Sequence, residues 1–180
     1  MALLCHAPPV VHADVRADRP DVTDDRLRCA SVTTPIGTLT LVASTAGLRE
    51  VRWADRQAPA VEEDPALQVL ERAASELVAY FDGGLRRFEV PLDLVGTEFQ
   101  RRAWHRLATI PYGTTTTYGA LAERDGDRAR ARAVGAANGA NPVPIVLPCH
   151  RVVGADGSLT GFGGGLEVKR YLLEHESRHR

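Results

Sequence analysis

Cysteine stands directly before histidine at two places in this chain, Cys5-His6 and Cys149-His150. The second pair follows Pro148 and precedes Arg151, inside the stretch "PIVLPCHRVVGADGSLTGFGGG" (144–165). A thiol becomes a useful nucleophile when a base, a cation or a helix N-terminus favours its thiolate. His150 and Arg151 supply the residue types. Neighbours on an extended chain point opposite ways, so His150 serves the thiol only if the loop bends, and then through a water. An acid is also needed to orient the imidazole; Glu174 and Glu176 both qualify by type. The competing reading of Cys149 is a buried structural thiol. Cys29 lies in a strand pattern and reads as core, and Cys5 as an incidental exposed thiol. No CxxC spacing occurs, and Cys5-His6 sits in a tail with no further ligand near it in sequence, so no metal site is expected.

The elements that must hold these residues are legible in outline. Residues 1–26 are rich in Asp, Pro, Ala and Val without periodicity and read as a disordered tail. Three β-rich runs follow, 27–32, 38–44 and 48–53, joined by "TTPIG" and Ala46-Gly47, as in an antiparallel meander. Asp64 and Pro65 then open a helix as N-cap and first residue. Leu67, Leu70, Ala74, Leu77 and Phe81 recur along one face of it, and Gly83-Gly84 end it. Residues 88–94 read as an edge strand or linker. Residues 27–95 thus form a small α+β unit, and 97–176 a second, mostly helical one, with 177–180 as a tail.

In the second unit Thr97 caps a helix with Phe99, Ala103 and Leu107 on one face, ended by Pro111-Tyr112-Gly113. Thr117 caps a short helix, a turn at "DGD" follows, and "RARARAVGAANGAN" (128–141) makes a second. This is the pattern of a helix-turn-helix and equally of a buried helical hairpin. Ala131, Ala133, Gly135, Ala136 and Ala137 leave the second helix nearly bare around Arg132. Such a surface suits the minor groove, where one inserted side chain replaces a base, or a tight helix–helix contact. After Asn141 the runs "PIVL", "HRVV" and "SLTGF" read as strands. A closing helix, "LEVKRYLLEHE", puts Val168, Leu172 and His175 on one face.

Composition sets the outer bounds. The chain has 180 residues, 44% hydrophobic and 25% charged, which is ordinary for a soluble globular protein. No apolar run approaches the roughly 18 residues of a membrane span. The N-terminus lacks a basic n-region, and its apolar run is broken by His6, Pro8 and Pro9, against a signal peptide. With three sparse cysteines, this points to the reducing cytoplasm. The net charge of −1 hides an asymmetry: 12 Lys+Arg against 8 Asp+Glu from Glu98 onward, 10 against 15 before it. A basic second half suits an anionic partner; a chance split of solvated charges fits as well.

Together "EFQRRAW", "IPYGTTTTYGALA", "RAVGAANGANPVPIVLPCHRVVG", "DGSLTGFGGGLEVKRYLL" and "HE" resemble the O6-alkylguanine-DNA alkyltransferases, the methylated-DNA–protein-cysteine methyltransferases. The resemblance is strong over 97–176 and looser over the first unit, through "TPIGTLTLVAS" and "LVAYFDGG". It implies a ribonuclease-H-like first domain and a second domain with a helix-turn-helix and a short sheet near the cysteine. It further implies a DNA repair protein that binds duplex DNA through the minor groove as a monomer. Such a protein flips out O6-alkylguanine (with O4-alkylthymine as a further substrate) and moves the alkyl group irreversibly onto its own cysteine. Each molecule acts once, without cofactor or metal.

Carried over by position, Cys149 is the acceptor, His150 removes its proton through a water, and Glu176 polarises His150. Asn141 ties the active-site loop to the recognition helix. Tyr118 helps protonate the leaving guanine at N3. Arg132 fills the vacated place in the stack, and Ala131, Ala133, Gly135 and Ala136 let the helix approach the groove. Backbone groups of Cys149, Val152 and Gly163 read the base. Two positions depart from the family pattern. Phe162 replaces a common tyrosine, so no hydroxyl reaches the base, and Gly163 replaces a common serine. Two rival readings stay open: a lesion-binding protein with crippled transfer, and a thiol hydrolase with a Cys-His-Glu triad.

Overall fold

Alternation of apolar and polar residues from Leu27 to Trp53 builds a meander of three long strands, as the spacing predicts. The computed structural model describes residues 13–14, 27–53, 64–124 and 126–180. Strands β2 (Arg28–Thr34), β3 (Gly37–Ser44) and β4 (Gly47–Arg52) pair antiparallel, with Cys29 opposite Val42 and Leu41 opposite Val51. A two-residue strand β1 (Ala13–Asp14) adds to the edge at β2. Those two residues therefore depart from the expected disordered tail; the rest of 1–26, including Cys5, lies outside the described residues. Cys29 is buried, as expected of core.

Helix α1 (Pro65–Phe81) is capped by the Asp64 side chain on the Ala66 N–H, with Pro65 in its first turn. Its buried face is Ala66, Val69, Leu70, Ala73, Ala74, Leu77 and Tyr80. The face is turned slightly from the expected one, so Leu67 and Phe81 lie at its margin and Tyr80 points inward. The 88–94 run is no strand: only Leu48 and Leu92 form a bridge, through Leu48 N to Pro91 O (2.8 Å) and Asp93 N to Leu48 O (2.9 Å). Pro91 lacks an N–H, which limits pairing there.

Helix α2 (Glu98–Leu107) starts with a full capping box between Thr97 and Gln100. It buries Ala103, Trp104 and Leu107, and the Trp104 indole donates to Ala137 O at 2.7 Å. That bond ties α2 to α4 (Ala131–Gly139), which packs also on α3 (Tyr118–Arg124). Thr117 Oγ1 accepts from Ala120 N, the expected cap. A 3-10 turn, Arg128–Arg130, precedes α4, so the second helix begins at Ala131 and not Arg128.

The expected strands after Asn141 are mostly absent. Only β6 (Val152–Val153) forms, parallel to β5 (Thr116–Thr117). "PIVL" holds an isolated bridge, and "SLTGF" is irregular. Ile145, fully buried, sits at φ 76°, a left-handed conformation that breaks any strand there. Helix α5 (Leu166–Arg178) outruns its expected end, and the 177–180 tail is engaged: Arg180 donates to Gly113 O and His179 Nδ1 meets His175 O. One buried apolar cluster runs from Val32 and Leu41 through Leu107 and Ile145 to Leu172, so both halves share a core.

Candidate active site

Cys149 opens a 3-10 turn, Cys149–Arg151, against α5. The turn decides what extended chain would have prevented. It carries Cys149, His150 and Arg151 inward together, and all three are buried.

His150 Nε2 lies 2.7 Å from Glu176 Oε1. Glu176 is fully buried, whereas Glu174 is exposed, which settles which acid meets the imidazole. The same carboxylate accepts from Arg151 Nε (2.9 Å to Oε2) and Nη2 (3.0 Å to Oε1), from the Tyr80 hydroxyl (2.8 Å) and from Gly113 N (2.9 Å). Arg151 Nη1 donates to Ile110 O at 2.6 Å. Burial alone would raise the Glu176 pKa. The hydrogen bonds and charges of His150 and Arg151 outweigh it and hold the carboxyl at about 2. Burial beside that carboxylate keeps the Tyr80 phenol protonated.

The tautomer of His150 follows. An ionised carboxylate only accepts, so Nε2 carries the proton and Nδ1 keeps its lone pair. Nδ1 is buried with no hydrogen-bond partner in the protein. Burial holds the His150 pKa below its ordinary value despite Glu176, so the ring is neutral at pH 7. The result is an oriented base with its free nitrogen unengaged.

The thiol itself is not pre-ionised. Burial pushes Cys149 up to about 11, against the pull of the Asn141 side chain and the Lys169 charge. Lys169 is buried and donates to Val152 O (2.7 Å) and Thr160 O (2.8 Å), bracing the chain after the cysteine; burial lowers its pKa. The chain before it is braced by Asn141, whose Nδ2 donates to Leu147 O (2.8 Å) and whose Oδ1 accepts from Val143 N (3.1 Å). These bonds close the loop that holds Ile145 in its strained conformation.

Tyr118 accepts from Thr160 Oγ1 at 3.0 Å, and Phe162 stands edge-on to His150 with centroids 6.4 Å apart. Val152 lies in β6, with its carbonyl already serving Lys169. Gly163 is exposed in the loop before α5. On α4, Arg132, Ala133 and Ala136 are exposed, and Ala131 and Gly135 are half-buried. A Cβ on Gly135 would lie 3.7 Å from the Tyr118 ring, so the bare helix runs close by the tyrosine. Arg128 and Arg130, exposed in the preceding turn, pair with Glu123 (3.5 Å) and Asp127 (3.3 Å).

Four participants escaped sequence reasoning: Arg151 as the Glu176 clamp, Tyr80, Gly113 and Lys169. For Lys169 a signal existed. It and Glu176 fall on the buried stripe of α5 with Leu172, at helical spacing, where a charged residue needs a partner. Nothing local marks Tyr80, 96 positions from Glu176. The chain also has one His-x-x-x-His pair, His175 and His179. His175 Nε2 is 2.8 Å from Tyr80 O and His179 Nδ1 is 2.8 Å from His175 O, and no metal-holding cluster of three occurs among the described residues.

Comparison with known proteins matches two family models: 6-O-methylguanine DNA methyltransferase, ribonuclease-like domain, over 27–94, and 6-O-methylguanine DNA methyltransferase, DNA binding domain, over 98–178. The methylated-DNA–protein-cysteine methyltransferase of Mycolicibacterium paratuberculosis is 49% identical over 153 residues, 83% of this chain and 92% of that one. The inducible enzyme of that name from Bacillus subtilis is 46% identical over 129 residues, 70% of each chain. The crystal structure of Mycobacterium tuberculosis OGT in complex with DNA superposes with a TM-score of 0.74 at 46% identity, covering 83% of this chain and 92% of that one.

Proposed function

The chain belongs to the 6-O-methylguanine DNA methyltransferase family, which are methylated-DNA–protein-cysteine methyltransferases acting in DNA repair, and from that premise we propose how it works. It takes O6-alkylguanine out of duplex DNA and transfers the alkyl group to Cys149, once per molecule. The observation that carries this reading is the buried row Cys149, His150, Glu176, Arg151, in which His150 keeps one unengaged nitrogen beside the cysteine's turn.

The Cys149 proton passes through a water to His150 Nδ1, and the imidazolium is stabilised by the ionised Glu176 at 2.7 Å. Sγ attacks the alkyl carbon, the S–C bond forms, and the C–O6 pair leaves with guanine. The Tyr118 hydroxyl protonates guanine at N3 and regains a proton from the imidazolium through solvent. The products are an S-alkyl cysteine and neutral guanine, with no cofactor. The high thiol pKa suits a protein that reacts once: the thiolate forms only as the base accepts its proton, which spares the cysteine from stray electrophiles.

Arg132, exposed on α4, enters the minor groove and takes the place of the flipped base, while Ala133 and Ala136 let the helix approach. Phosphate contacts from Arg128 and Arg130 suffice for a protein that scans for a lesion without reading sequence. Asn141 holds the loop, and backbone groups of Val152 and Gly163 with the Phe162 ring line the base.

The test is to incubate the protein with a duplex containing O6-methylguanine and weigh the Cys149 peptide. A gain of one methyl is expected, absent in Cys149→Ser. Selective binding without mass gain overturns the reading in favour of a lesion-binding protein. Repeated turnover of an ester overturns it in favour of a thiol hydrolase.

A further inference from the structure

Trp53 directly follows β4, at the end of the meander's third run, and meets the loop that carries Phe162. Its ring packs edge-on against Phe162, centroids 5.5 Å apart at 77°. The two glycines after Phe162 wrap the indole. A Cβ on Gly164 would fall 2.6 Å from Trp53 Cε2 and Cζ2, and one on Gly163 3.6 Å from Cζ3. No side chain fits at 164 while the indole stays. Phe162 in turn stands edge-on to His150 at 86°. Two residues before Trp53, Val51 N donates to Pro142 O at 2.8 Å, on the stretch that Asn141 braces. One strand end of the first domain therefore touches both sides of the site, the loop before Cys149 and the loop after it.

We propose that Trp53 is a positioning residue for the transfer reaction: it sets the place of Phe162, and through it the size of alkyl group the pocket admits. This rests on the functional reading above. Phe162 has no hydroxyl, so no hydrogen bond can anchor its ring end, and packing alone holds it. The indole N–H is likewise buried without a partner, so the wall is held by contact of rings and not by polar bonds. Taking the indole away leaves Phe162 free to swing back and the pocket free to widen.

The experiment measures single-turnover transfer from duplexes carrying O6-methylguanine or O6-benzylguanine. Trp53→Ala is expected to raise the benzyl-to-methyl rate ratio by roughly fivefold or more, a change of pocket fit of the size that one group's room makes. Trp53→Phe keeps a ring edge and restores the parental ratio. Affinity for undamaged duplex stays within about twofold, since α4 is untouched. Gly164→Ala forces a Cβ into the indole and slows transfer about tenfold or more; in the Trp53→Ala background that cost falls to a few-fold, a coupling that distant residues do not show. An unchanged ratio in Trp53→Ala, or an equal Gly164→Ala cost in both backgrounds, overturns the proposal. If Trp53→Ala does not fold, Trp104→Phe leaves Trp53 as the sole tryptophan of the chain's two. Its emission should then shift when Cys149 is benzylated, and no shift overturns the proposal. Absence of any transfer by the parent protein overturns the functional reading itself, and this inference with it.

Discussion

Glu176→Gln is the sharpest perturbation of this site, because it changes one atom type and removes one charge. The carboxylate accepts from Tyr80, His150, Arg151 and Gly113, with contacts of 2.7–3.2 Å. An amide has one accepting oxygen and one donating nitrogen. With the nitrogen at the Oε2 place it faces the Gly113 N–H and the Arg151 Nε–H, donor against donor. With the nitrogen at the Oε1 place it faces Arg151 and also donates to His150 Nε2. Arg151, 5% exposed, is left a buried cation with no anion. Breaking a buried pair in this way costs about 3–5 kcal/mol. For a chain of this length that is a fall in Tm of roughly 6–20 °C. The second effect is chemical. With the nitrogen at the Oε1 place, donation to Nε2 moves the ring proton to Nδ1, the nitrogen proposed to accept from the thiol; in either orientation the charge that stabilises the imidazolium is gone, so transfer should slow by about 10²–10⁴-fold. Urea denaturation followed by circular dichroism gives the first quantity, and single-turnover transfer the second. A stability loss under about 1 kcal/mol, the worth of one ordinary hydrogen bond, would refute the clamp. A rate close to the parent's in a folded variant would refute the tautomer argument.

Three further outcomes are expected. Iodoacetamide should label Cys149 slowly at neutral pH and faster as pH rises toward about 11; a rate already level at pH 8 contradicts the buried, protonated thiol. Stability should fall in acid: the folded pKa of Glu176 (about 2) and that of His150 both lie below their ordinary values, so the unfolded chain binds protons first. Urea melts should show this contribution complete above about pH 6.5 and lost progressively below it, first through His150 and then, below about 4.5, through Glu176; the Glu176→Gln protein should lack the second part. Arg132→Ala should slow transfer from duplex DNA about tenfold or more while leaving transfer from free O6-benzylguanine unchanged, because only the duplex requires a base to be replaced; equal slowing on both would remove Arg132 from that role.

The starts of α1, α2 and α3 were legible in sequence, because each rests on residues close together along the chain, whereas the acceptor role of Cys149 came only from the family resemblance. Asp64-Pro65, Thr97 with Gln100, and Thr117 each satisfy helix N–H groups within three positions, so local chemistry specifies them. The meander was legible for the same reason: alternation and turns at "TTPIG" and Ala46-Gly47 act over a few residues. The stretch from Asn141 to Phe162 was not. Its apolar runs look like strands, but they are apolar because they are buried around a loop, and periodicity cannot separate the two causes.

What tertiary structure alone decided is how the pieces meet. In the sequence Arg151 is only a cation adjacent to the cysteine; one 3-10 turn sends it inward to Glu176. The choice between Glu174 and Glu176 rested on resemblance until the packing of α5 exposed one and buried the other. Tyr80 and Trp53 come from the first domain, and only the shared core brings them to the carboxylate and to Phe162. Sequence carries the energies of neighbours along the chain. The charge state of Glu176 and the free nitrogen of His150 depend on groups 25 to 96 positions away, and their distances exist only once the chain has closed.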